Sequence, residues 1–253
     1  MLKIIISGCN GRMGKAIAAL AESDPNVCIA AGIDVAPVKN GSFPVYSSPM
    51  EFAGEADVLI DFSAPAAIDA VLTYAMAKNM PAVLATTGYS NEQEDKILKA
   101  SRTIPVFRSA NFSLGINLLE ELVKRAAGVL GSDFDIEIVE RHHRNKVDAP
   151  SGTALMLAKA ATEGRPDADN YVYDRHNVRK PREDNEIGIS AVRGGSIAGD
   201  HEVIFAGMNE VIELRHHAAS REVFAAGALR AAKYMSTVKN SGIFSMKDLL
   251  SNL

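Results

Sequence analysis

Leu2-Lys3-Ile4-Ile5-Ile6 runs into Gly8, Gly11 and Gly14, and the alanine-rich stretch from Lys15 to Ala21 follows at once. No other feature restricts the fold as strongly. A short β-branched run is what a parallel strand buried on both faces requires. Glycines spaced G-x-x-G-x-x-G between such a strand and a helix let the backbone approach a pyrophosphate and aim helix N-terminal amides at it. A glycine triplet also occurs in ordinary tight turns, so the next strand decides. Val27 to Ile33 supplies it and ends in Asp34, 20 residues after Gly14, where an acid can hold the ribose hydroxyls of adenosine. Strand, glycines, helix, strand and acid in this order predict a dinucleotide-binding turn. Asp34 favours NADH, while Arg12 and Lys39 can reach a 2′-phosphate, so the choice between NADH and NADPH stays open.

The alternation continues. A strand over Ala56 to Ser63 leads to a helix from Ala66 to Lys78, a strand over Pro81 to Gly88, a helix over Glu92 to Ser101, and a strand at Ile104 to Phe107. Alternating strands and helices predict a doubly wound parallel sheet whose ligand sits beyond the C-terminal strand ends. Those ends are Gly8, Asp34, Phe62-Ser63, Thr86-Thr87 and Ser109-Ala110-Asn111-Phe112.

After Asn111 the pattern changes. A helix to Leu130 carries Leu114, Leu118, Leu119, Leu122, Val123, Ala126 and Leu130 on its apolar side, with Glu120, Glu121, Lys124 and Arg125 opposite. Period-two segments follow at 134–138, 186–192, 201–205 and 210–214. Strands without long intervening helices predict an open mixed or antiparallel sheet, one able to pair with copies of itself. The fold class is therefore α/β, a Rossmann-like doubly wound parallel sheet plus a second α+β domain. A length of 253 residues accommodates two modest domains, and 47% hydrophobic residues fill a sizeable core.

The net charge of -4 argues against general nucleic-acid binding. Cys9 and Cys28 make neither a disulfide framework nor a metal-ligand spacing, so no metal is expected and a reducing compartment, the cytoplasm, is. The apolar start spans only Ile4 to Ile6, too short for a signal peptide or a membrane span.

The most unusual stretch is Glu140 to Leu155, ERHHRNKVDAPSGTAL. Seven ionisable side chains occupy the nine residues from Glu140 to Asp148, and a helix start follows. If a strand runs to Arg141, the ionisable groups lie at its end and in the next loop, and Ser151 caps a helix over 153–162. The amides of Gly152 and Thr153 then suit a carboxylate, with Lys146, His142 and His143 close by to donate protons.

With Gly8 to Gly14, Asp61-Phe62-Ser63, Thr86-Thr87-Gly88, Asn111 to Gly115, the run from His142 to Leu155, Arg193-Gly194-Gly195 and His217 to Arg221, nearly the whole chain resembles the dihydrodipicolinate reductase family. The run His-His-x-x-Lys-x-Asp-Ala-Pro-Ser-Gly-Thr-Ala is far more specific than the glycine turn. The resemblance implies NADH- or NADPH-dependent reduction of 4-hydroxy-tetrahydrodipicolinate, a small dicarboxylate, in diaminopimelate and lysine synthesis. It implies that His142 gives or takes a proton, that Lys146 donates one, that His143 touches substrate, and that Gly152 and Thr153 cradle its carboxylates. The cofactor would contact Gly8, Cys9, Asn10, Gly11, Arg12, Met13, Asp34, Ala85, Thr86, Thr87, Ser109, Ala110, Asn111 and Phe112. The family often has glycine where this chain has Ala85. Residues 1–112 and 224–253 would form the dinucleotide-binding domain, and 113–223 the substrate-binding domain of a homotetramer.

Two other readings are distinguishable. A semialdehyde dehydrogenase uses a mid-chain cysteine nucleophile, and the cysteines here lie in the nucleotide half. A non-catalytic NAD(H) sensor has no use for His142 and Lys146.

Overall fold

The N-terminal apolar run forms β1 (Leu2–Ser7), a strand in the interior of its sheet. The structure is a computed structural model describing residues 1–39 and 41–253. After β1 come α1 (Arg12–Glu22), β2 (Val27–Ile33), β3 (Val45–Tyr46), β4 (Val58–Asp61), α2 (Ile68–Ala77), β5 (Ala82–Leu84), α3 (Asn91–Ala100) and β6 (Pro105–Arg108). All pairings among these strands are parallel. Ile4 and Ile6 pack with Ile17, Ile60 and Val83 on one face, and Ile5 packs with Leu59, Leu84 and Val106 on the other. Both faces being covered explains why the run is continuously apolar rather than alternating. α1 begins at Arg12, so Gly14 sits in its first turn rather than ahead of it. The helix expected from Ala66 starts at Ile68, after a 3₁₀ turn at Pro65–Ala67.

A second set of elements follows: α4 (Leu114–Leu130), β7 (Asp135–His142), α5 (Gly152–Gly164), β8 (Asn170–Val172), β9 (Glu186–Arg193), β10 (Asp200–Ala206) and β11 (Val211–His217). The sheet order is β11-β10-β7-β9-β8, antiparallel from β11 to β7 and parallel from β7 to β8. It is a mixed sheet. α4 starts three residues later than the expected Asn111, and its buried stripe is Ile116, Leu119, Val123 and Ala127. Leu118 and Leu122, read from the sequence as core, are 47% and 44% exposed.

The chain then supplies α6 (Glu222–Met235), β12 (Gly242–Phe244) and α7 (Met246–Leu250). β12 adds parallel to β6 and completes a seven-stranded sheet of order β12-β6-β5-β4-β1-β2-β3. α6 packs on α1, β4 and β5. Two units result: Met1–Leu114 with Glu222–Leu253, and Gly115–Arg221. Among the described residues, no helix is long and apolar enough to cross a membrane.

Candidate functional site

In the first unit, the polypeptide leaves β1 at Gly8 with φ +77°, and a Cβ there would lie 2.5 Å from the Phe62 carbonyl oxygen. A Cβ on Gly14 would lie 2.2 Å from the carbonyl oxygen of Gly8. Only glycine fits either position, and the turn is drawn tight against β4 and α1. The amides of Gly8 and Cys9 donate to the Ile33 carbonyl, that of Gly11 to Gly8, and that of Asn10 to Oδ2 of Asp34 at 3.0 Å. The donors left for an anion are therefore the first-turn amides of α1, starting at Arg12 and Met13. Arg12 is exposed at that helix start. Cys9 is buried, and burial followed by the charge of Asp34 pushes its thiol up to about 11, so it is a packing residue and not a nucleophile.

Asp34 also accepts from the Ala36 amide at 3.2 Å, and the Asn10 side chain donates to the Ala36 and Val38 carbonyls at 2.7 and 3.2 Å. Asn10 thus braces the loop after β2 against the glycine turn. A cavity of about 430 Å³, lined in part by Gly8, Gly11, Asp34, Ser47, Ser63 and Ala67, opens beside it. A glycine cradle that any Cβ would fill, an acid at the second strand end and this cavity fit a nicotinamide dinucleotide.

Further along the strand ends, Asp61 is fully buried. Its Oδ1 accepts from Ser7 at 2.7 Å and Ser63 at 2.5 Å, and its Oδ2 from Thr86 at 2.7 Å and Tyr89 at 3.3 Å. Burial, then the Asp61 charge, hold the Tyr89 hydroxyl well above the ordinary tyrosine value. Ala85 is buried and donates its amide to the Asp61 carbonyl, whereas Thr87 is exposed. After β6, Ser109 donates its hydroxyl to the Asn111 carbonyl and Asn111 Oδ1 accepts from the Ser113 amide, both at 2.8 Å. Ala110 is exposed at this bend. The Phe112 ring packs between Phe62 and Phe107 at 5.9 and 5.8 Å, so that ring belongs to the core.

In the second unit, the alternation of β7 places Ile136, Ile138, Glu140 and His142 on its buried face. An apolar stripe therefore runs on into an acid and an imidazole. Across the ladder, His201 of β10 stands opposite Glu140, and Arg193 of β9 opposite His142. Glu140 Oε2 lies 2.6 Å from Nδ1 of His142, and Oε1 accepts from the Ser151 amide at 3.0 Å. Arg193 donates Nη1 to Oε2 and Nη2 to Oε1, each at 2.7 Å. Burial works to raise the Glu140 carboxyl, but Arg193, His142 and the Ser151 amide more than offset it and leave the group below its ordinary value. His201 lies edge-on to His142, ring centroids 5.1 Å apart, with Nε2 3.0 Å from the Ser151 hydroxyl. Burial, then the neighbouring His142, push His201 down to about 4, so it is neutral at physiological pH.

Ser151 caps α5, accepting from the Ala154 amide at 3.1 Å, and the helix begins at Gly152. The first turn opens at Gly152 and Thr153. A Cβ on Gly152 would meet nothing within 4 Å, so the helix start is open. Lys146 is half-buried with Nζ 2.9 Å from Asp148 Oδ1, and this contact foremost keeps the Asp148 carboxyl below its usual range. His143 Nε2 lies 3.4 Å from Nη2 of Arg221. The structure thus brings His142, His143, Lys146, Gly152 and Thr153 to one end of the second sheet. Sequence reasoning passed over Glu140, His201 and Asp61 as site residues; Glu140 carried a signal, being an acid in phase with two buried isoleucines.

Two family models match the chain, one described as "Dihydrodipicolinate reductase, N-terminus" over residues 2–112 and one as "Dihydrodipicolinate reductase, C-terminus" over residues 115–250. The chain belongs to the dihydrodipicolinate reductase family. Among the family's curated members, 4-hydroxy-tetrahydrodipicolinate reductase of Caldanaerobacter subterraneus subsp. tengcongensis is 53% identical over 253 residues, covering 99% of this chain and 98% of the relative. The reductase of Clostridium novyi is 48% identical over 252 residues, covering 100% and 99%. A solved structure of dipicolinate-bound dihydrodipicolinate reductase from Paenisporosarcina sp. TG-14 superposes with a TM-score of 0.80 at 24% identity, covering 97% of both chains. That likeness establishes the shared family fold, the parallel sheet with its second mixed-sheet unit.

Proposed function

We propose that this chain catalyses reduction of 4-hydroxy-tetrahydrodipicolinate to tetrahydrodipicolinate with NADH or NADPH, as a cytoplasmic homotetramer in diaminopimelate and lysine synthesis. The observation that carries the reading is the convergence of the His142 imidazole, the Lys146 ammonium and the open N-terminus of α5 at one end of the second sheet. Full-length identity of about half to members named for this reaction supports it.

The dinucleotide, when bound, would supply a hydride to C4 of the cyclic imine acid once the 4-hydroxyl has left as water together with a hydrogen of the neighbouring ring carbon. The chain's residues do the rest. Residues 1–112 and 224–253 hold the dinucleotide through the α1 N-terminus, Asp34 and the strand ends at Ala85 to Thr87 and Ser109 to Phe112. Residues 113–223 hold the substrate and make the assembly contacts. Gly152 and Thr153 offer amides, and the helix a favourable dipole, to the substrate carboxylates. His143 touches the substrate, and His142 and Lys146 return one proton to that neighbouring carbon as electron density develops on the ring.

The experiment follows oxidation of NADH and NADPH in parallel on substrate generated in situ from pyruvate and aspartate semialdehyde by the condensing synthase. Oxidation that requires the synthase is expected, and the two rates give the cofactor preference. No oxidation despite measurable nucleotide binding overturns the reading.

A further inference from the structure

Glu140 has no exposed surface, and burying a carboxylate is unfavourable unless each oxygen is paired. Arg193 alone would meet that need through its two parallel contacts. The same carboxylate nonetheless reaches His142 Nδ1 at 2.6 Å and the Ser151 amide at 3.0 Å. We infer that Glu140 is a positioning residue: it fixes the tautomer and orientation of the His142 imidazole and locks that imidazole to the first turn of α5.

An ionised carboxylate only accepts, so Nδ1 of His142 carries the hydrogen and Nε2 is left as the nitrogen that gains and loses a proton. The other side of the ring is shaped accordingly. Gly199 lies against Nε2, and a Cβ there would come within 3.1 Å of it, so the glycine keeps the working nitrogen uncrowded. Through Ser151, whose hydroxyl caps α5, Glu140 also sets the height of that helix start relative to the imidazole. Arg193 extends the tie. Its Nη2 donates to the Asp148 carbonyl at 2.7 Å, and Asp148 is the partner of Lys146. One ion pair therefore joins both proton-handling side chains to the helix that would grip the substrate.

This inference rests on the reading that His142 handles a proton, and the two are tested separately. The first measurement is the ¹⁵N spectrum of the wild-type imidazoles on the alkaline side of their titration, with His142 assigned by the signals lost in His142→Asn. A neutral ring protonated at Nδ1 is expected, and one protonated at Nε2 overturns the inference, with no variant fold at stake. Glu140→Gln is then expected to lower kcat at least about tenfold, with the Kd for NADH within twofold and the two His142 tautomers mixed. Glu140→Asp should restore part of kcat. Unchanged kcat and an unchanged tautomer in Glu140→Gln overturn the inference even if His142→Asn is inactive. Full turnover in His142→Asn overturns the proton-handling reading instead, and the tautomer result stands apart from it.

Discussion

Thr86 donates its hydroxyl to Oδ2 of Asp61 over 2.7 Å, joining the end of β4 to the segment that follows β5. Ser7, Ser63 and Tyr89 spend their hydrogens on the same carboxylate. Asp61→Ala takes this acceptor from the buried hydroxyls of Ser7 and Thr86, and from the half-buried Tyr89 and the exposed Ser63 as well. We expect a loss of about 2–4 kcal/mol in urea unfolding, with Asp61→Asn costing less because its amide can still pair. Equal stability of the alanine variant and wild type would refute this role.

His201 gives a pH signature. Its folded value of about 4 lies below the ordinary 6.5, so the unfolded chain binds more protons between those pH values. The histidine's contribution is fully present above pH 6.5 and is lost as pH falls toward 4. The loss amounts to at most roughly 3 kcal/mol. Urea midpoints at pH 7 and pH 5 should differ more for wild type than for His201→Gln, and parallel shifts would contradict the assignment.

Lys146→Ala should lower turnover by orders of magnitude while leaving NADH affinity nearly intact, because the lysine belongs to the second unit and the glycine turn to the first. Steady-state rates beside nucleotide titration check both halves of the statement. Near-normal turnover would remove Lys146 from the chemistry.

Arg12 stands exposed at the start of α1, where a 2′-phosphate would gain a cation. Arg12→Ala should raise the Kd for NADPH more than that for NADH, by an order of magnitude if one phosphate contact is lost. The difference should shrink at high salt. Equal effects on both nucleotides would remove Arg12 from the argument.

The parts legible in the sequence are those with local rules. Gly8 and Gly14 announce a turn because no side chain fits there, and β1 and β2 are largely apolar runs of six and seven residues. The cap at Ser151 is written within four residues of its helix. Short strands such as β3, with two residues, and β8 and β12, with three each, have no room for a period to show. Leu118 and Leu122 misled because apolarity alone does not say which stripe of α4 is covered. The partners of Asp61 are drawn from positions 7 to 89, and those of Glu140 from 142 to 193, so only the tertiary fold reveals either cluster.

The return of α6 and β12 to the first sheet has a consequence for biosynthesis. As the chain emerges from the ribosome, its N-terminal strands can pair early, but β6 keeps a bare edge and α1 lacks its cover until residues 222–253 appear. The second unit, encoded in between, has all of its strands before the first unit is finished. A chain that stops before residue 222 would thus carry every strand of the second unit but lack one strand and two helices of the first.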